Sequence, residues 1–136
     1  MMLEPTATGP SIVICATCRV SSDLREDGSG RRGGALLAEA MLEIQRRDSR
    51  YEGLGIQTMA CFFACSEHIS VHLRAPGKIS YVLGRFTPDA EAARAILDYA
   101  LLYADSTHGS VRYAQWPEGV KGHFISRSPP EGFVLR

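Results

Sequence analysis

All four cysteines of the chain fall in two short pairs, Cys15-Ala-Thr-Cys18 and Cys61-Phe-Phe-Ala-Cys65. Thiolates are soft donors. Two pairs drawn from distant parts of one chain can present four of them together, which suits zinc or two irons with two cysteines each. The spacing alone leaves both metals open. In a reducing compartment, paired cysteines serve as metal ligands or redox thiols more often than as structural bridges.

A second chemistry is open to Cys15-x-x-Cys18, that of a redox-active dithiol following the apolar run Ser11-Ile12-Val13-Ile14. Such a dithiol needs its first thiol at a helix N-terminus, where the helix dipole and free N–H groups lower its pKa. The next helical pattern starts only near Gly33, after a polar stretch from Arg19 to Arg32. Dithiol chemistry also leaves Cys61 and Cys65 without a role.

Phe62 and Phe63 sit between ligand candidates and read either as an apolar shield over the site or as core packing. His68 follows Cys65 at an acceptable ligand spacing; otherwise His68 and His72 read as half-exposed strand residues, His68 donating a hydrogen bond near the sulfurs. His108 and His123 read as surface residues. Arg19, Arg25, Arg31 and Arg32 could offset an anionic centre or steer an acidic partner, although Asp23, Glu26 and Asp27 share their loop. Gly28-Ser29-Gly30 and Gly33-Gly34 lack the Gly-Lys-Ser/Thr of a phosphate loop and do not open a Gly-x-Gly-x-x-Gly motif after a strand.

The elements that must position these residues are legible from periodicity. Residues 12 to 15 are a continuous apolar run, as in a buried central strand. Leu36, Leu37, Ala40, Met41 and Ile44 recur at helical spacing from about Gly34 to Arg47. Gly55 to Met59 is a weaker strand that delivers the chain to Cys61. Ile69, Val71 and Leu73, then Ile79, Tyr81 and Leu83, alternate with polar residues and predict a hairpin turned by Ala75-Pro76-Gly77-Lys78. Thr87 reads as an N-cap and Pro88 as the first residue of a second helix running to about Asp105. From Ser106 to Arg136, glycines and prolines punctuate a tail expected to wrap the domain or pair with a neighbour.

At 136 residues the chain is one α/β domain, with its core over about 11–105 and its tail over 106–136. Fifteen basic residues balance fifteen acidic ones, so the net charge is zero, without the basic excess of a nucleic-acid footprint. No run approaches the roughly 18 apolar residues of a membrane span. The start, MMLEPTATGP, lacks the basic and apolar regions of a signal peptide, and a cytoplasmic location is expected.

The β-α-β, β-hairpin, α order, with cysteines after the first strand and just before the hairpin, resembles the thioredoxin-like [2Fe-2S] ferredoxins over residues 12–105. Those proteins have a longer first cysteine spacing and often Gly-Pro after the second pair, where this chain has Ser66-Glu67-His68. The chain is also similar to a small bacterial family of predicted metal-binding proteins of unknown function. It shares with that family Cys15-x2-Cys18, Cys61-x3-Cys65, Ala75-Pro76-Gly77-Lys78, Tyr81-Val82-x-Gly84, Leu102-Tyr103-Ala104 and a Pro-rich end. Members tend to sit near cobalamin-biosynthesis genes. These resemblances imply a thioredoxin-like fold and a [2Fe-2S] cluster, with zinc as the alternative, on Cys15, Cys18, Cys61 and Cys65. They imply an electron carrier without substrate chemistry, a redox partner protein and, together with the extended tail, a homodimer. One-electron exchange then asks the two cysteine loops to form an exposed docking edge, with Arg19, Phe62, Phe63 and His68 expected around it. The rival classes are a zinc-binding interaction module and a Cys-x-x-Cys dithiol oxidoreductase.

Overall fold

Strand β1, Ser11–Cys15, is buried along its whole length. An uninterrupted apolar strand has no solvent face and must take the middle of a sheet. In the computed structural model, which describes residues 1–136, β1 does so within a five-stranded sheet. Helix α1, Gly33–Arg47, returns the chain so that β2, Gly55–Met59, pairs with β1 in parallel. The hairpin of β3, Val71–Arg74, and β4, Ser80–Leu83, lies antiparallel on the other side of β1. Helix α2, Ala90–Asp105, packs against α1.

The helices turn apolar faces inward: Leu37, Ala38, Met41 and Ile44 from α1, and Ala93, Ile96, Leu97, Tyr99, Ala100 and Tyr103 from α2. They join Ile12, Ile14, Val71, Leu73 and Leu83 in one core. The hairpin turn behaves as its sequence predicts. The Lys78 N–H donates to the Ala75 carbonyl at 3.2 Å, and Gly77 takes the positive φ of 73° that the turn requires. Lys78 then extends its ammonium group to the Tyr103 and Ala104 carbonyls at 3.1 and 2.6 Å. A cation there satisfies acceptors left open at the C-terminus of α2 and complements the negative end of its dipole.

The tail and the start of α2 depart from expectation. The stretch after Asp105 supplies a fifth strand, β5, Phe124–Ser128, antiparallel to β4, giving the order β2-β1-β3-β4-β5. It was hidden because its alternation is weak and nearly all of it is exposed. Backbone pairing at the sheet edge holds it, together with Phe124, whose ring meets those of Tyr81, Tyr99 and Trp116. His123, expected at the surface, stacks on Phe86 with ring centroids 4.4 Å apart and hydrogen-bonds the Gly84 carbonyl at 2.8 Å.

At the start of α2, Asp89, not Thr87, caps the helix: its carboxylate accepts the Ala92 N–H at 2.9 Å. Thr87 acts one step back, donating its hydroxyl to the same carboxylate at 2.6 Å. The Thr87 hydroxyl and the Ala92 N–H hold the Asp89 carboxyl below its ordinary pKa. A depressed native pKa means that the charged form stabilises the fold at neutral pH. That contribution fades as the pH falls through the native pKa. Asp89→Ala is expected to cost about 1 kcal/mol at pH 7. Urea unfolding should show the variant and the parent converging in acid; a gap that does not narrow there would assign the loss to packing.

Candidate metal centre

The parallel register aligns Ser11 with Gly55 and Cys15 with Met59, so β1 and β2 end side by side. Cys15 is the last residue of β1, and Cys61 follows the end of β2 by two. The cross-strand bond from the Ala16 N–H to the Met59 carbonyl, 2.8 Å, continues the pairing past the strand. Both cysteine loops thus leave the sheet at one end.

The two pairs sit in unlike surroundings. Cys15 and Cys18 are buried members of the core, whereas Cys61 is half-buried and Cys65 exposed, and all four are free thiols. Cys15 Sγ lies 3.6 Å from the Ala60 carbonyl and 3.7 Å from the Thr17 hydroxyl, which itself donates to Ala60 O at 2.7 Å. Cys18 Sγ lies 3.7 Å from the hydroxyl of the fully buried Ser70. Burial pushes the Cys15 thiol up, but hydrogen bonds from the Cys18 and Thr17 side chains and from the Phe62 and Thr17 backbones outweigh it. The thiol of Cys15 therefore sits below its ordinary pKa. Burial dominates at Cys18 and pushes its thiol up to about 11. Cys65 is raised by its hydrogen bond and charge interaction with Cys61.

Cys61 Sγ and Cys65 Sγ are 3.7 Å apart. Two sulfurs bound at about 2.3 Å to one tetrahedral metal lie about 3.8 Å from each other, so the outer pair already has the span of a shared ion. Nowhere do three or more Cys, His, Asp or Glu side chains surround one point as ligands would. The donors stand in pairs. Four soft thiol donors at one end of the sheet fit a metal-binding or redox role.

Cys15, Cys18 and Cys65 line one open pocket of about 660 Å³, together with Thr17, Arg19, Ser22, Arg25, Arg32, Ser66 and His68. Arg19 and His68 were expected at this edge. His68 orients the backbone of the outer pair, not a sulfur: its Nδ1–H donates to the Cys65 carbonyl at 2.8 Å. Phe62 and Phe63 part ways. Phe62 packs on the core, edge-on to His72, while Phe63 is 96% exposed and shields nothing. Arg31 turns away to pair with Glu39. Ser70 and Thr17 were not foreseen as neighbours of the sulfurs. Thr17 carries the signal of lying within the first pair, whereas Ser70 is brought in only by the β1–β3 pairing.

Helix α1 was expected to stand apart from Cys15-x-x-Cys18, since fourteen residues of loop intervene. In space it does not. The Gly34 N–H donates to the Cys18 carbonyl at 3.1 Å, so the helix N-terminus rests on the cysteine loop. That N–H goes to a carbonyl, not to a thiol sulfur.

The model of the family described as "Protein of unknown function (DUF1636)" matches residues 12–130. The chain belongs to the DUF1636 family. Two solved structures are similar to this DUF1636 protein. One is a thioredoxin-like [2Fe-2S] ferredoxin from Aquifex aeolicus, 20% identical with a TM-score of 0.57, covering 94% of this chain and 100% of that one. The other is the 1.5 Å crystal structure of the wild-type thioredoxin-like [2Fe-2S] ferredoxin from Aquifex aeolicus. It is 20% identical with a TM-score of 0.50, covering 70% of this chain and 87% of that one. No curated protein matches the chain. The likeness shows a thioredoxin-like α/β fold, and the neighbouring cysteines fit a metal-binding or redox role. No helix of the DUF1636 chain is long and apolar enough to cross a membrane.

Gly34 makes the contact of α1 with the site possible. A Cβ there would fall 1.8 Å from the Cys15 carbonyl oxygen, a backbone atom that cannot rotate away. Gly34→Ala should therefore lower stability by about 2 kcal/mol or more in denaturant unfolding, the range of a forced overpacking. Gly28→Ala, in open space within the same loop, should leave the midpoint unchanged or slightly raised. Equal effects at the two positions would remove this account of the close approach.

Proposed function

We propose that this DUF1636 chain is an electron carrier holding a [2Fe-2S] cluster on Cys15, Cys18, Cys61 and Cys65, without substrate chemistry of its own. The observation that carries the reading is the arrangement of the donors: two separate pairs, the outer one spanning 3.7 Å, at the ends of parallel strands. A bound [2Fe-2S] cluster would supply reversible one-electron chemistry. The chain's own residues supply the setting. Cys15 and Cys18 anchor the inner side in the core, and the β1–β3 pairing fixes them. Phe62 packs against that core, and Arg19, Arg25 and Arg32 place positive charge where four thiolates would bring negative charge. The exposed Cys65 side is where an electron could enter and leave.

A zinc-binding interaction module remains the alternative for the same residues, since two cysteine pairs also make up a four-thiolate zinc site. Metal analysis separates the two. Protein isolated without oxygen should be brown and contain iron and acid-labile sulfide in equal amounts. One zinc per chain in a colourless sample would replace the cluster with the module. Serine at any one of the four cysteines should lower the iron content, and unchanged content in all four variants would remove the site.

The resemblance to proteins encoded near cobalamin-biosynthesis genes supports a place for the carried electron in that pathway, delivered to a redox partner there. The chemically reduced protein, freed of reductant, should reoxidise when a cobalt-corrin intermediate and its processing enzyme are added. A reduced protein that ignores this addition yet passes electrons to a small generic acceptor would keep the carrier and lose the pathway.

A further inference from the structure

Six arginines of the chain, Arg31, Arg46, Arg47, Arg50, Arg85 and Arg94, are paired with carboxylates. The three arginines that line the cysteine pocket, Arg19, Arg25 and Arg32, are in none of these pairs, and the pocket wall contains no Asp or Glu. Arg19 and Arg32 are held by backbone carbonyls instead, at Ser22 O (3.2 Å) and Thr17 O (2.8 Å), which orient a guanidinium group without neutralising it. Two of the nearby carboxylates are engaged elsewhere. Asp27 accepts from Ser29 and from the Arg31 N–H, and Glu67 pairs with Arg85 at 2.5 Å. Asp23 and Glu26, in the same loop, form no ion pair. Arg74, Arg112 and Arg127 are likewise outside the ion pairs, so what singles out this pocket is three guanidinium groups on a wall without a carboxylate.

Phe63 stands on the loop between Cys61 and Cys65. Its ring is 96% exposed, and its backbone is held at φ 59°, a left-handed conformation costly for a bulky residue. The Phe63 N–H donates to Cys61 Sγ at 3.3 Å, which fixes that conformation and lifts the ring into solvent. An exposed aromatic ring two residues from Cys65, which itself shares a pocket wall with three arginines, has the make-up of an interface anchor beside a charged rim.

We infer that this face docks an acidic protein, with Phe63 as the apolar anchor and Arg19, Arg25 and Arg32 as the charged rim that orients the partner over the cysteines. The inference rests on the electron-carrier reading for its purpose and names the partner's chemistry. A cluster of about −2 charge would offset part of the three guanidinium charges and leave the rim positive. Encounters on such a small charged patch are brief, steered by charge and weakened by salt.

The test immobilises the full chain and measures binding of two electron-transfer probes, an acidic flavodoxin and the basic cytochrome c, by surface plasmon resonance. Flavodoxin should bind, and about tenfold more weakly at about 200 mM salt than at about 20 mM, while cytochrome c should not bind at either. The double variant R19E/R25E should lose flavodoxin and gain cytochrome c, and R19K/R25K should keep the parent behaviour. F63A should weaken flavodoxin severalfold at both salt concentrations without changing their ratio. Equal binding of the two probes, or flavodoxin binding untouched in R19E/R25E, would overturn the inference. Iron content is read on the same samples. Charge-dependent binding by a chain without iron would sink the carrier and keep the docking face; an iron-loaded chain with no preference would do the reverse.

Discussion

The parallel pairing of β1 with β2 is the constraint on which the rest depends. An antiparallel neighbour would send Cys15 and Cys61 to opposite ends of the sheet. The register Cys15↔Met59 sends both loops to one end, and it exists because α1 carries the chain back across the sheet between the two strands. The buried run Ile12, Val13 and Ile14 sets which strand is central, and Ile56 packs beside it. Cysteine chemistry is therefore coupled to the core: loosening α1 would disturb the register that brings the pairs together.

The N-terminus of α1 closes that coupling. Residues 19 to 32 leave the first cysteine loop and bring the helix back onto it, where Gly33 approaches the Arg19 carbonyl and Gly34 the Cys15 carbonyl too closely for any side chain. The Gly34 N–H satisfies the Cys18 carbonyl in the process. One backbone contact thus gives a donor at the helix start a partner and pins the inner cysteine pair. The hairpin does the same from the other side, with Ser70 accepting the Cys15 N–H at 3.1 Å and placing its hydroxyl beside Cys18.

Most of the layout was legible because it rests on local chemistry. The apolar run at 12–15, the 3.6-residue spacing of α1, the alternation in the hairpin and the Pro-Gly turn each reflect one periodicity or one φ preference. The cysteine pairs announced themselves by type and spacing. What escaped was set by contacts distant in sequence. β5 holds its place by edge pairing and by Phe124 among Tyr81, Tyr99 and Trp116, none of which a five-residue window contains. Asp89 displaced Thr87 as the cap because Thr87 and Asp89 compete for one role two residues apart, and the carboxylate is the stronger acceptor for an N–H. Ser70, the unlike fates of Phe62 and Phe63, and the return of α1 onto the cysteine loop all depend on tertiary placement.

The inequality of the two cysteine pairs has a physical consequence for anything they hold. Cys15 and Cys18 sit in buried backbone tied to β3 and α1, so their positions are as stable as the core. Cys61 and Cys65 lie on a short exposed turn, fixed by the Phe63 N–H on Cys61 Sγ and by His68 on the Cys65 carbonyl. Local opening is cheapest where buried apolar contacts are fewest, so the outer turn can adjust while the inner pair stays fixed. A shared centre would then be built from the inside outward, on a rigid half that sets its place and a compliant half that closes over it. The compliant half is the one carrying Phe63 and facing the arginine rim, which puts the adjustable ligands on the side open to a partner.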